Sequence, residues 1–100
     1  MTSIVIYTNE KILLHKRGVL PDDPNRSKFG YYHWGFSRQP KYIEKGDRVY
    51  FAISGNVVGS FRICHILYGG DTIEWSARSW RVLAEPIPCK PFRGFRYIWW

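Results

Sequence analysis

The sequence predicts a β-rich domain, all-β or α+β, whose short strands curl into a small barrel. Three observations carry this reading. Runs of β-branched and aromatic residues recur along the chain. Glycine- and asparagine-bearing turns separate them. No segment sustains the helical period that a bundle requires. One hundred residues make one domain, 1–100, with room for one core and not two. Hydrophobic residues at 45% and charged residues at 23% are ordinary for a folded chain and argue against disorder.

From the N-terminus, Ser3–Tyr7 is apolar and β-branched and reads as a strand, which Lys11–His15 is expected to continue after Thr8-Asn9-Glu10. Lys16–Pro40 reads as a long irregular stretch, punctuated by Gly18, Pro21, Asp22, Asp23, Pro24, Asn25, Gly30, Gly35 and Pro40. Long ordered loops in compact domains are commonly functional. This one holds the aromatic cluster Phe29-Gly30-Tyr31-Tyr32-His33-Trp34-Gly35-Phe36. A helical turn or two is expected near Gln39–Glu44.

The middle of the chain is the clearest. Lys45-Gly46-Asp47 is a turn, and Arg48–Ile53 is a strand. Ser54-Gly55-Asn56 is a tight turn, because Gly and Asn tolerate positive φ, and Val57–Ile66 returns as the partner strand. Gly59 marks a bulge or a close backbone approach. Tyr68–Thr72 is a further turn. Ile73–Trp75 and Trp80–Ala84 are strand material on either side of Ser76-Ala77-Arg78-Ser79. Pro86, Pro88 and Pro91 are expected to make the segment after Ala84 an extended loop. Phe92–Trp100 is too apolar for a free tail and is expected to dock on the barrel or add a last strand.

Charge and aromatic content narrow the function. The formal net charge is +7, and aromatics make up 18% of the chain, five of them Trp. A positive field favours polyanionic partners, and flat rings beside it suit nucleic-acid bases. No apolar run is long enough to span a membrane. The start lacks the basic and apolar regions of a secretion signal, so the expected location is the cytoplasm. Cys64 and Cys89 form no CxxC pair and read as reduced thiols. The histidines and cysteines are too scattered for a structural zinc site, so neither metal nor cofactor is expected.

The string Tyr42-Ile43-Glu44-Lys45-Gly46-Asp47-Arg48-Val49-Tyr50-Phe51, with Gly55-Asn56-Val57-Val58-Gly59-Ser60-Phe61 after it, resembles the PUA-like superfamily. Its ASCH, EVE and YTH branches carry a similar hairpin. Ile4–Asn9, Trp34-Gly35-Phe36 and Pro91–Ile98 look most like the EVE branch. The resemblance implies a pseudo-barrel of five or six strands with one or two short helices, and RNA binding or recognition of modified bases in an aromatic pocket. The lysine–glutamate motif of many ASCH domains is absent from the N-terminal region, which counts against ASCH-type hydrolysis.

The residues themselves suggest a site. Trp34 and Phe36 would form one wall of a base pocket and Trp75 or Trp80 another, with Ser37 and Ser76 bonding the base edge. Arg38, Arg78, Arg81 and Arg93 would hold phosphates. Competing structural explanations exist. A tryptophan in so small a domain more often fills the core, although for Trp34–Arg38 the two explanations balance. The basic surface also suits simple solubility. The last quarter carries +4 of the net charge, and Arg outnumbers Lys nine to six. The guanidinium fork matches phosphate geometry.

The expected function is therefore nucleic-acid binding, RNA or a single-stranded or flipped DNA base, one base at a time and modified or not. Two alternatives stand beside it. One is an RNA- or nucleotide-processing hydrolase using His33, with Asp47, Asp71 or Glu74 as partner. The other is a protein-interaction module, including a homodimer, using Tyr97-Ile98-Trp99-Trp100. Binding is favoured over catalysis. Cys64-His65 cannot act together, because neighbours on a strand face opposite ways.

Overall fold

The computed structural model describes residues 2–19 and 31–100. Much of the irregular stretch expected after Lys16, with Phe29 and Gly30 of the aromatic cluster, lies outside the described residues. Within them the chain is β-rich, as its sequence predicts. The strands are β1 (Ile4–Tyr7), β2 (Tyr31–Gly35), β3 (Arg48–Ile53), β4 (Asn56–Leu67), β5 (Thr72–Ser76), β6 (Arg81–Pro88) and β7 (Phe95–Tyr97). One helix, α1 (Glu10–Lys16), and two short 3-10 turns complete the described structure. No helix among the described residues is long and apolar enough to cross a membrane.

Among the described residues the strands number seven rather than five or six, and they form an open sheet. The hydrogen-bonded order is β2-β5-β4-β3-β1-β7, with β6 branching from β4, and its end strands β2 and β7 do not pair with each other. Strand β4 is the spine. Its first half pairs with β3 and β6, and its second half pairs with β5 from Ile63 onward, across a register shift between Ile63 and His65. A bulge sharpens strand twist and bend, so one long strand can serve two differently directed groups of neighbours.

Strand β1 lies inside the sheet, next to its β7 edge. It runs parallel to β3 and antiparallel to β7. Ile4, Val5 and Ile6 are all fully buried, as expected of a strand covered on both faces. Side-chain alternation sends Ile4 and Ile6 into the main core, with Val49, Phe51, Phe61, Ile63, Ile73 and Trp75. Val5 goes to a smaller cluster with Ala52, Val57 and Cys89.

The β3–β4 hairpin matches its expectation closely. Ser54 and Gly55 take φ of +49° and +86°, the positive pair that a two-residue hairpin turn requires. Gly59 is the close approach. A Cβ there would lie 2.5 Å from Trp80 ring carbons and 2.7 Å from the Arg81 carbonyl. Strand register also slips beside it, both toward β3 and toward β6.

Four expectations are corrected. Lys11–His15 is helical, not strand. The Asn9 side chain accepts from the Ile12 N–H at 2.9 Å, Glu10 opens the first turn, and His15 and Lys16 close the last, all of which favour a helix. Tyr31–Gly35 is a strand rather than loop, because it pairs with β5 along its whole length. Gln39–Glu44 is bends and irregular backbone, with no helical turn. Strand β6 runs on through Pro86 to Pro88. Its register with β4 jumps from Val82 to Ile87 opposite a single skipped residue, Val58. Pro86 falls in that unpaired bulge, where a missing N–H costs no ladder bond.

Candidate nucleic-acid interface

The site builds from the outer strand β2. In its register with β5, Tyr32 lies opposite Trp75 and Trp34 opposite Ile73. Directly opposed residues share a face, so Trp34 points toward the core side at the sheet margin. It is half-buried and meets Phe51 edge-on, with ring centroids 5.6 Å apart. Its remaining surface lines two adjoining hollows, which share Trp34 and Gly35.

The first hollow, about 260 Å³, lies between the segment after β2 and the approach to β7. Trp34, Gly35, Phe36, Ser37, Arg38, Arg93, Gly94 and Phe95 line it. Its size is slightly below the roughly 300–1,000 Å³ of drug-sized ligand pockets, a scale suited to one planar ring. Phe36 and Phe95 meet edge-on at 5.4 Å and form its floor. The Phe36 N–H donates to the Asp71 carbonyl at 2.7 Å, which ties this segment to the start of β5. The Arg38 guanidinium lies 4.7 Å above the Phe95 ring, with Nη2 donating a long 3.5 Å bond to the Phe95 carbonyl. Arg38, Arg93 and Ser37 are exposed. The hollow therefore combines apolar rings, one hydroxyl and two guanidinium groups.

The second hollow, about 360 Å³, lies between the end of α1 and β2. Ile12, His15, Lys16, His33, Trp34 and Gly35 line it. Lys16 Nζ stands 5.7 Å from the Trp34 ring centroid.

Five expected site residues thus come together: Trp34, Phe36, Ser37, Arg38 and Arg93. The other five do not. Trp75 is fully buried, stacks on Phe61 at 4.9 Å and donates its indole N–H to the Lys16 carbonyl. It is a core residue and forms no pocket wall. Trp80 packs on Phe61 under the Arg17 guanidinium. It lines a separate apolar hollow of about 230 Å³ with Leu13, Leu14, Ile53, Val58 and Val82, so it does not face Trp34. Ser76 caps the 3-10 turn Ala77–Ser79, accepting from the Arg78 N–H at 3.3 Å. Arg78 and Arg81 line neither hollow at Trp34.

Sequence reasoning misses His15 and Lys16, because His15 reads as strand and Lys16 as the start of the irregular stretch, and their placement beside Trp34 depends on the helix. It also misses the role of Arg48. Arg48 donates through Nε to Ser60 Oγ at 2.7 Å and through Nη2 to the carbonyls of Ser60 and Ser79 at 3.2 and 3.0 Å. It stitches β3 to β4 and to the turn before β6. Burial, and then the nearby Arg81 charge, push its pKa below the ordinary value.

The acids expected as partners for His33 are engaged elsewhere. Asp47 Oδ2 accepts from the Glu44 N–H at 2.8 Å, Asp71 Oδ1 accepts from the Thr72 hydroxyl, and Glu74 Oε1 lies 2.9 Å from His65 Nδ1. No protein-family model, curated protein or solved structure matches this chain.

Proposed function

We propose that this chain binds single-stranded nucleic acid, seating one base against Trp34 with its phosphates on Arg38 and Arg93. The observation that supports this is the first hollow. It gathers an indole, two phenyl rings, a hydroxyl and two arginines, the combination that sequence-tolerant binding of single strands uses. With Trp75 in the core and Trp80 elsewhere, the base rests on one indole rather than between two. The reading therefore claims no particular base modification. The EVE-type kinship is held on the same footing and rests on the β3–β4 hairpin motif. The unpaired thiols Cys64 and Cys89 fit a reducing compartment such as the cytoplasm.

The test is anisotropy titration of labelled single-stranded RNA and DNA of mixed sequence. Saturable binding that weakens with salt and with loss of the Trp34 ring is expected. Absence of binding to either polymer at low salt overturns the reading.

A second reading has its own observation. Trp99 and Trp100 are 50% and 43% exposed and follow the outer strand β7 after Ile98. Trp99 meets Trp100 at 4.9 Å, and Trp100 meets Tyr50 at 5.1 Å. Such a patch suits self-association. Light scattering across a concentration series separates a dimer from a monomer.

A further inference from the structure

A third hollow, of about 230 Å³, lies between α1 and the sheet and shares no residue with the two at Trp34. Its helix side is the stripe Glu10, Leu13, Leu14 and Arg17, the spacing that places four residues on one helical face. Arg17 follows α1 in helical conformation, and its N–H donates to the Leu13 carbonyl at 2.9 Å. Ile53 of β3, Val58 of β4, Val82 of β6 and Trp80 form the sheet side. The lining thus carries two charges, a carboxylate at one end of the stripe and a guanidinium at the other, with apolar side chains between them. Seven residues of helix set the two about 10 Å apart along the axis. Arg17 is held by stacking. Its guanidinium lies 4.9 Å from the Trp80 ring centroid, and Trp80 in turn packs on Phe61. Its Nε has no hydrogen-bond partner among the described residues. Stacking therefore orients the guanidinium without using its donors. Glu10 is exposed, and Val82 leaves apolar surface 71% exposed.

We propose that this hollow binds a linear molecule with an ammonium at one end, a carboxylate at the other and methylene groups between. That is the chemistry of an ω-amino acid, or of a lysine at a peptide C-terminus. The ammonium pairs with Glu10, the carboxylate takes the planar fork of Arg17, and the methylenes lie on Leu13, Leu14, Val58, Val82 and Trp80. Each feature of the ligand follows from the lining. A wholly apolar ligand would cover two charges without pairing either, which is costly. A fatty acid would satisfy Arg17 and press its tail against the Glu10 carboxylate. An alkylamine would do the reverse at Arg17. An apolar α-amino acid carries both charges on one carbon and reaches only one pole. The hollow is smaller than the roughly 300–1,000 Å³ of drug-sized pockets, so the chain is short. Six bonds of an extended chain, as in ω-aminohexanoate, span about 7 Å, and its charges then fall between the two poles. Nothing in this site depends on nucleic-acid binding, because Trp34, Arg38 and Arg93 line other hollows.

The experiment titrates the full chain with ω-aminohexanoate, hexanoate, hexylamine and Nα-acetyl-lysine. Binding is followed by the NMR shifts of the Trp80 indole and of the Leu13 and Leu14 methyl groups. Expected is saturable binding of ω-aminohexanoate, with hexanoate and hexylamine each weaker by roughly tenfold. Glu10→Gln and Arg17→Gln should each weaken ω-aminohexanoate by a similar factor. Chain length should show an optimum, with ω-aminobutanoate and ω-aminooctanoate both weaker than the six-carbon probe. Nα-acetyl-lysine separates the two sources. Tighter binding than ω-aminohexanoate points to a peptide C-terminus and weaker binding to a free ω-amino acid, and either result carries the proposal. Absence of any shift at Trp80, Leu13 and Leu14, binding of hexanoate or hexylamine as tight as that of ω-aminohexanoate, or affinity that climbs with every added methylene overturns it. Arg17 packs on Trp80, so a variant there that does not fold is replaced by the ligand series on the native chain together with Glu10→Gln, a change at an exposed side chain.

Discussion

The indole N–H of Trp75 donates to the main-chain carbonyl of Lys16 at 3.2 Å. One partner is fully buried on β5, and the other ends the only described helix. The bond satisfies a carbonyl in the last turn of α1, which has no partner within the helix. A core residue thereby sets the position of the helix end that presents His15 and Lys16 to Trp34.

Trp75→Phe should keep the stacking on Phe61 and lose the bond to Lys16. Leaving a part-buried carbonyl without its donor costs at most about 1–3 kcal/mol, plus a contribution from the vacated ring volume. Thermal unfolding should fall by several degrees. Amide exchange should quicken in α1 more than in β3 and β4. Equal quickening across the whole chain would mean that the bond has no local role.

Trp34→Ala should weaken binding of single-stranded oligonucleotides by about 1–3 kcal/mol, the usual contribution of one stacked base. Trp34 also touches Phe51, so some stability will be lost. Trp34→Leu keeps apolar contact with the core and removes the stacking face, and it should show the same binding loss with a smaller change in melting temperature. Unchanged affinity in the leucine variant would remove Trp34 from the interface.

Arg38 and Arg93 are exposed on one hollow, so their contribution should depend on salt. For a single strand, each phosphate contact contributes about 0.7 to the slope of log affinity against log salt. The double variant Arg38→Ala/Arg93→Ala should flatten that slope by roughly 1.4. Arg93→Ala alone should weaken all sequences evenly. A change in base preference would give Arg93 a reading role in place of a phosphate role.

Legibility in the sequence tracks how local the deciding physics is. The β3–β4 hairpin is readable because turn chemistry at Ser54-Gly55 and alternation along Val57–Ile63 lie within a few residues of each other. Helix α1 has seven residues and one fully covered side chain, Leu13. Its apolar run Ile12-Leu13-Leu14 suits a strand equally well, and the Asn9 cap with the charges at the two ends tips the balance. Pro86 is reconciled with a strand only through the skipped Val58 on the partner. For Trp75 a signal is present: alternation in Thr72–Ser76 puts it on the same face as Ile73, and both are fully buried. The gathering of Trp34 to Arg38 with Arg93 depends on β7 pairing with β1 and on the Phe36–Phe95 contact. Both are long-range and leave no local mark.

Gly59→Ala should be among the most damaging single-methyl additions in this fold. The new Cβ would meet both the Trp80 ring and the Arg81 carbonyl. The ring can tilt, but the carbonyl belongs to the β4–β6 ladder, where Ser60 pairs with Arg81. Overpacking of this kind costs about 1–3 kcal/mol, which in a domain of this size is a fall in melting temperature on the order of 10 °C. The companion variant Gly59→Ala/Trp80→Leu frees space on the ring side only. Full recovery would show that the ring is the whole obstacle, whereas partial recovery matches the backbone contact.

Cys89 makes stability depend on alkaline pH. Burial raises its thiol pKa above the ordinary value of 9.0, and the nearby Arg96 charge offsets only part of this. On unfolding the thiol returns to its ordinary value, so above that value the unfolded chain loses its proton before the folded one. Stability contributed by the protonated thiol is complete below about pH 9 and declines as pH rises through the raised folded value. Cys89→Ala should flatten the fall in melting temperature above about pH 9 and leave its value at neutral pH lower by the cost of the lost packing against Val5, Ala52 and Val57. Thiol titration of the native chain at mildly alkaline pH should find Cys89, 7% exposed, modified only after slow opening. Rapid modification, or an alkaline slope identical in the alanine variant, would separate this thiol from the pH dependence.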